Sequence, residues 1–149
     1  IRTSWLYSRF GNNFVKTMLK LGQERSELNI VADQKGSPTN AADLAKAIMQ
    51  IIPKLNNNKV EVYHYSNQGH CSWCEFAAAI FELANIKCKV NAILSSEYPT
   101  PAKRPLNTVM VIDKIQNDFS VELINWRAGL LKWWRCKAKF YSQVSDAKQ

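Results

Sequence analysis

The sequence predicts an α/β fold with some parallel strand pairing. Segments with a helical period of apolar residues alternate along the chain with short runs of β-branched and aromatic residues. The connections between these segments are short, which is typical of strands and helices packed in layers. A length of 149 residues, of which 46% are hydrophobic, is enough for one core of ordinary size.

Four runs rich in β-branched and aromatic residues predict strands, and they cover residues 1–7, 28–31, 60–65 and 108–112. Residues 33–39 concentrate turn-forming side chains and predict a loop. Residues 95–105 hold three prolines in eleven positions, so they predict an extended surface segment.

Five amphipathic segments predict helices, and each follows or begins at a residue that can cap a helix. The predicted caps are Asn12 or Asn13, Thr39 or Asn40, Ser72, Asp113 and Asn125. Ser72 and Glu75 also match a capping box. The expected buried stripes are Ala42, Leu44, Ala45, Ile48, Ile51 and Ile52 in the second helix, and Trp126, Leu130 and Trp134 in the last.

The formal net charge of +8 is concentrated near the C-terminus. Residues 1–124 carry 14 basic and 11 acidic side chains, whereas residues 125–149 carry 6 and 1. Basic residues interleaved with Trp133, Trp134 and Phe140 resemble an interfacial helix. A terminal helix docked by one face explains the same pattern, and we favour it. We therefore expect no nucleic-acid partner and no stable membrane association.

The spacing of Cys71 and Cys74 is that of a redox pair or of half a zinc site. A structural zinc ion needs four ligands, and the other candidates form no second pair at a suitable spacing. Those candidates are His64, His70, Cys88 and Cys136. We interpret the cysteines as reduced thiols of a cytoplasmic protein and predict no metal site.

The sequence contains no complete catalytic motif. It has no G-x-S-x-G and no H-E-x-x-H, and its five glycines are too scattered for a phosphate-binding loop. We therefore assign no catalytic residue. Residues 1–7 begin within a strand and without an initiator Met, which indicates a piece of a longer polypeptide.

Seven blocks of the sequence, taken in order, resemble the bacterial dTDP-4-dehydrorhamnose reductase family. They are IRTSWLY (1–7), GNNFVKTML (11–19), DQKGSPT (33–39), YHYS (63–66), SW (72–73), FA (76–77) and YPTPAKRP (98–105). The resemblance extends from residue 1 to about residue 131 and implies the C-terminal half of an extended short-chain dehydrogenase/reductase. Two strands would come from its Rossmann sheet, and the rest would be a small α/β substrate-binding subdomain. Residues 132–149 would be a basic, aromatic helical tail.

The resemblance also implies a reaction and its partners. The family reduces dTDP-4-dehydro-β-L-rhamnose to dTDP-β-L-rhamnose for surface polysaccharide synthesis, with NADPH or NADH bound by the N-terminal half. Its catalytic Thr and Y-x-x-x-K motif would precede Ile1, and no Y-x-x-x-K occurs here, so this chain alone is predicted to be inactive. The expected partners are a dTDP-sugar and the N-terminal Rossmann half, and the resemblance adds two further candidates, a second copy in a homodimer and a Mg ion.

The same resemblance implies substrate-binding residues, each with a fitting side-chain chemistry. Trp5 offers a flat apolar wall and an N–H group, and Arg104 offers a fork for a pyrophosphate. Asn13 begins a helix whose N–H groups can bind phosphate, and Tyr98 lies in the proline-rich segment. Weaker candidates are Asp33, Gln34, Ser37, Thr39 and Lys103.

A second interpretation is a non-catalytic regulatory or interaction module of the same superfamily. The sequence departs from the family pattern at Cys74, Thr108 and Val111. These departures leave the exact nucleotide sugar open.

Overall fold

The structure is a computed structural model, which describes the backbone of residues 1–56 and 59–146 and the side chains of residues 1–56 and 59–136. The described strands are β1 (Leu6–Tyr7), β2 (Glu27–Val31), β3 (Lys35–Gly36), β4 (Thr39–Asn40), β5 (Cys71–Ser72) and β6 (Lys89–Ile93). The described α-helices are α1 (Phe14–Glu24), α2 (Ala41–Ile51), α3 (Trp73–Ala84), α4 (Asp113–Phe119) and α5 (Trp126–Asp146). The prediction of an α/β fold is confirmed.

The strands form three two-stranded ladders. β2 and β6 pair in parallel over five residue pairs, and β1 pairs in parallel with β4. β3 and β5 are antiparallel, with Gly36 opposite Cys71. Because side chains alternate along a strand, β2 buries Leu28 and Ile30 while the intervening polar residues face outward.

Polar side chains at the helix starts accept hydrogen bonds from backbone N–H groups that the helix leaves unpaired. Asn13 caps α1, Asn40 caps α2, and Ser72 forms the predicted capping box with Glu75 at the start of α3. Asn125 accepts from the Arg127 N–H at the start of α5, as predicted. The prediction for Asp113 is wrong, because this residue is already the first residue of α4.

The predicted strands at 60–65 and 108–112 are wrong. Residues 60–65 contribute only an isolated bridge at His64, and Val60 is 98% exposed. Of residues 1–7, only Leu6 and Tyr7 join a ladder. The predicted loop at 33–39 contains β3 and β4, and β6 was missed. The strand predictions at 60–65 and 108–112 failed because an alternating pattern does not provide a neighbouring strand to pair with. β6 was missed because it contains Lys, Asn and Ala, which are depleted in strands.

The helices enclose two apolar clusters. The larger lies among α1, α3, α5, β1 and β2, and it includes Phe76, Ile80 and Leu130. The smaller contains Ala47 and Ile51 of α2 together with Tyr65, Ile115, Phe119 and Val121. In α5 Trp126, Leu130 and Trp133 are buried, and the predicted Trp134 is half-buried and packs against the larger cluster.

The buried face of α2 also differs from the predicted stripe. It consists of Asp43, Ala47 and Ile51, whereas Ile48 and Ile52 are exposed. The Asp43 carboxylate accepts hydrogen bonds from Asn67 Nδ2 at 3.0 Å and from Lys132 Nζ at 2.5 Å. A buried carboxylate is tolerated because both groups compensate for its lost hydration.

Replacing Lys132 by Met is expected to lower the free energy of unfolding by about 2–3 kcal/mol, because Asp43 then stays buried without its cation. The partial exposure of the Lys132 side chain, 45%, places this value below that of a fully buried pair. Urea unfolding measures the loss. The double variant Asp43→Asn/Lys132→Met should recover part of the lost free energy of unfolding. If its loss equalled the sum of the losses in the two single variants, the pairing of Asp43 with Lys132 would be contradicted.

Gly22 lies where α1 crosses α3. A Cβ at this position would lie 2.6 Å from Phe81 Cε1 and 3.0 Å from Ile86 Cγ2. Overpacking costs about 1–3 kcal/mol, which exceeds the helix propensity of about 1 kcal/mol that alanine would add. We therefore expect Gly22→Ala to destabilise the chain by about 1 kcal/mol in urea unfolding. The exposed control Lys20→Ala should change stability by less than about 0.5 kcal/mol.

Candidate substrate-binding cleft

An open cleft of about 930 Å³ lies between α1 and β2 on one side and the proline-rich segment on the other. Apolar side chains of α1 and β2, including Met18, Leu21 and Ile30, line its floor. Aromatic rings lie along one part of its wall, and basic and polar side chains lie along another. Such a mixed lining is typical of sites that orient a small molecule by a few polar contacts.

Trp5 lines the cleft with a backbone conformation that is unusual for a residue with a side chain. Its φ angle is +46°, in the left-handed region, which costs about 1–3 kcal/mol for a bulky residue. The surrounding bonds hold it there, because Thr39 N–H donates to the Trp5 carbonyl at 3.1 Å and Leu6 is in register with Thr39. Strain of this kind is concentrated at functional sites.

The Trp5 indole is enclosed by two neighbours. The ring of Trp73 lies parallel to it, with the centroids 3.4 Å apart and the planes at 9°. On the side of Nε1 and Cζ2, the indole lies so close to Gly36 that a Cβ there would be 2.4 Å from Trp5 Cε2. Phe14 continues the aromatic wall beyond Trp73, with its centroid 4.6 Å from that ring.

The start of α3 fixes Trp73. Glu75 Oε2 accepts from the Ser72 backbone N–H at 2.6 Å, and Ser72 Oγ accepts from the Glu75 N–H at 3.1 Å. The hydrogen bond from the Ser72 backbone stabilises the carboxylate and lowers the pKa of Glu75 below its ordinary value. The β3–β5 ladder places Gly36 opposite Cys71, so Gly36 and Trp73 come together at Trp5.

The opposite part of the cleft carries polar groups. Arg104 and Tyr98 line it from the proline-rich segment, and Gln34 and Arg25 line it from the other side. Arg104 is exposed, and Tyr98 is 57% exposed. Four of the predicted site residues, Trp5, Arg104, Tyr98 and Gln34, therefore lie together in the cleft.

Both ends of the proline-rich segment are attached to residues 33–35. Asp33 accepts from the Ser95 N–H at 3.0 Å and from Ser95 Oγ at 2.8 Å, and these bonds lower the pKa of the Asp33 carboxyl. Lys35 N–H donates to the Leu106 carbonyl at 2.8 Å, and Thr108 N–H donates to the Lys35 carbonyl at the same distance. Asp33 thus supports the segment that carries Tyr98 and Arg104.

The other predicted site residues lie outside the cleft lining. Asn13 caps α1, and its Nδ2 donates to the Ser8 carbonyl at 2.8 Å. Ser37 and Thr39 are buried, with Ser37 Oγ donating to the Gly69 carbonyl at 2.8 Å and Thr39 Oγ1 accepting from Thr3. Lys103 is exposed. Their role in binding stays a prediction.

Sequence reasoning missed Trp73, Phe14 and Arg25, which also line the cleft. Trp73 and Phe14 both lie in blocks that carry the family resemblance, but neither spacing nor composition distinguishes a cleft aromatic from a core aromatic. Arg25 follows α1 in a turn without any motif. Only the packing of α1 against α3 shows that Trp73 and Phe14 are near Trp5.

The surroundings of Cys71 and Cys74 disfavour the thiolate forms of these two residues. Burial raises the pKa of the Cys71 thiol to about 12, and burial also raises the pKa of the Cys74 thiol. A reactive pair requires a lowered pKa, which neither residue has. Among the described residues no group of three or more His, Cys, Asp or Glu is arranged to hold a metal ion.

Solved structures place this fold in a class. The backbone superposes on a dTDP-4-dehydrorhamnose reductase of Bacillus anthracis solved in complex with NADP, with a TM-score of 0.80, 42% identity, and coverage of 89% of this chain and 46% of that one. A Clostridium acetobutylicum dTDP-4-dehydrorhamnose reductase gives a TM-score of 0.83 at 36% identity, covering 92% of this chain and 48% of that one. The fold is that of the C-terminal portion of a Rossmann-like extended short-chain dehydrogenase/reductase.

Sequence comparison narrows the class to a family. The model of the RmlD substrate binding domain matches residues 1–136, and the chain belongs to that family. A dTDP-4-dehydrorhamnose reductase of Sinorhizobium fredii is 43% identical over 134 residues, which cover 85% of this chain and 45% of the relative. The chain thus spans just under half the length of the curated relatives it matches. No helix within the described residues is long and apolar enough to cross a membrane.

Gly36→Ala is expected to displace the Trp5 indole, because the new methyl group would overlap the ring and Trp73 blocks its retreat. The near-ultraviolet circular dichroism of the tryptophans should change, and stability should fall by about 1–3 kcal/mol. Gly11→Ala is the matched control, because Gly11 has a φ of +61° but nothing lies within 4 Å of its Cβ position. That variant should lose stability through backbone strain alone and keep the aromatic spectrum.

Proposed function

We propose that the cleft binds the nucleotide sugar of a dTDP-4-dehydrorhamnose reductase. The ligand would be dTDP-4-dehydro-β-L-rhamnose or its product dTDP-β-L-rhamnose, and the chain would be the substrate-binding part of an NAD(P)H-dependent reductase of surface polysaccharide synthesis. The observation that carries the proposal is the cleft itself, which combines a tryptophan wall with Arg104 in a chain of this family.

Each part of such a ligand has a chemical counterpart in the lining. The deoxysugar exposes C–H groups and a methyl group, which suit the aromatic wall that includes Trp5. The pyrophosphate suits the guanidinium of Arg104, because this planar cation can donate two parallel hydrogen bonds to phosphate oxygens. The flat and largely apolar thymine suits the floor formed by Met18, Leu21 and Ile30.

The chemical step would need groups that this chain does not supply. Its sequence has no Y-x-x-x-K, and its scattered glycines offer no dinucleotide turn. We propose that the nicotinamide cofactor, which supplies the hydride when bound, and the proton donor belong to the part of the relatives that this chain does not span. The task of the residues described here is then to hold and orient the sugar, and the chain alone is expected not to turn substrate over.

Two expectations from the family resemblance are left out of the proposal. A homodimer has no contact in its favour, and a Mg ion has no ligand cluster in its favour among the described residues. The idea of a non-catalytic module likewise has no observation behind it, because the relatives named above are reductases.

Isothermal titration of the 149-residue chain with dTDP and with dTDP-β-L-rhamnose tests the proposal. We expect both ligands to bind and the sugar to add affinity. Trp5→Ala should weaken dTDP-β-L-rhamnose about tenfold and dTDP much less, because the lost contact is with the sugar. Arg104→Gln should weaken both ligands by about tenfold, because both carry the pyrophosphate.

Lys20→Gln serves as the control, because Lys20 is an exposed cation of α1 that does not line the cleft. Its affinities should equal those of the unaltered chain. Failure of both ligands to bind at millimolar concentration would refute the proposal, and so would unaltered affinities in both Trp5→Ala and Arg104→Gln.

A further inference from the structure

The geometry points to Trp73 as a positioning residue: its indole holds Trp5 in the orientation that receives the sugar. This inference rests on the proposed function and extends it to a residue that no sequence motif marks as functional. The rings of Trp5 and Trp73 form the tightest aromatic pair among the described residues.

The stack is closer than aromatic packing alone would favour. Aromatic pairs prefer offset or edge-on arrangements with centroids about 4.5–7 Å apart, because two facing π clouds repel each other. The centroids of Trp5 and Trp73 are 3.4 Å apart with nearly parallel planes. The surrounding frame, and not the attraction of the two rings, must therefore set their positions.

That frame can be traced on both sides. Trp73 is the first residue of α3, so the Ser72–Glu75 capping box fixes its backbone. Trp5 is held by the hydrogen bond from Thr39 N–H to its carbonyl and by the close approach of Gly36 to its ring. Hydrogen bonds therefore hold the backbone at both tryptophans, and Gly36 limits the movement of the Trp5 ring.

The arrangement also restricts how a ligand meets Trp5. A parallel ring 3.4 Å away covers one face of the indole, and Gly36 lies against the other face near Cε2. With both faces of the indole covered in this way, a sugar can reach only the part of the ring that neither neighbour covers. Trp73 and Gly36 together thereby determine which part of Trp5 is offered to the cleft.

A positioning role predicts an effect on the sugar that acts through Trp5. In titrations with dTDP and dTDP-β-L-rhamnose, the readout is the ratio of the two affinities, which isolates the contribution of the sugar. Trp73→Leu should lower this ratio about three- to tenfold and leave the affinity for dTDP unchanged. Trp73→Phe, which keeps an aromatic face, should retain most of the ratio and guards against a folding defect in the leucine variant.

The double variant Trp5→Leu/Trp73→Leu separates positioning from an independent contact. If Trp73 acts through Trp5, the double variant should lose no more of the ratio than Trp5→Leu alone. Trp134→Leu is the matched control, because Trp134 is also half-buried but lies on α5 outside the cleft lining. Its ratio should equal that of the unaltered chain.

Each contrary outcome has a distinct meaning. Four outcomes would overturn the role of Trp73 while the proposed function stands. Two concern Trp73→Leu alone: an unchanged affinity ratio, or an equal weakening of both ligands. The others are an additive loss in the double variant and an equal loss in Trp73→Phe and Trp73→Leu. If the unaltered chain bound neither ligand, the proposed function would fail, and the inference would fail with it.

Discussion

The side chain of Asn67 forms hydrogen bonds with three separate parts of the chain. Its Oδ1 accepts from the Asn40 N–H at 2.7 Å, while its Nδ2 donates to Asp43 and to the Ile124 carbonyl. Asn40 in turn donates to the Gly129 carbonyl of α5. These hydrogen bonds hold β4, α2 and α5 together, because a buried polar group that lost its partner would cost free energy.

This constraint reaches the cleft because Asn40 is adjacent in sequence to Thr39. Asn40 is held by Asn67, and the neighbouring Thr39 holds the carbonyl of Trp5. The strained backbone of Trp5 is thus attached to a buried set of hydrogen bonds. A site that keeps a bulky residue at positive φ needs such a rigid support, because the strain would otherwise relax.

The sequence predicts what depends on local physics. Asn13, Asn40, Ser72 and Asn125 cap helices where short-range hydrogen bonding requires it. It fails where tertiary contacts decide, as at the buried Asp43, whose partners lie 24 and 89 residues away along the chain. Trp5, Tyr98 and Arg104 of the cleft followed from family resemblance, whereas Trp73 depends on an α3 position that only the folded chain reveals.

The attachment of the proline-rich segment has a consequence for its length. Both of its ends are hydrogen-bonded to residues 33–35, so the two ends lie close together. Closing a loop of this kind costs little more when a few residues are added or removed. A longer or shorter segment can therefore be accommodated between the same attachment points without disturbing either apolar cluster.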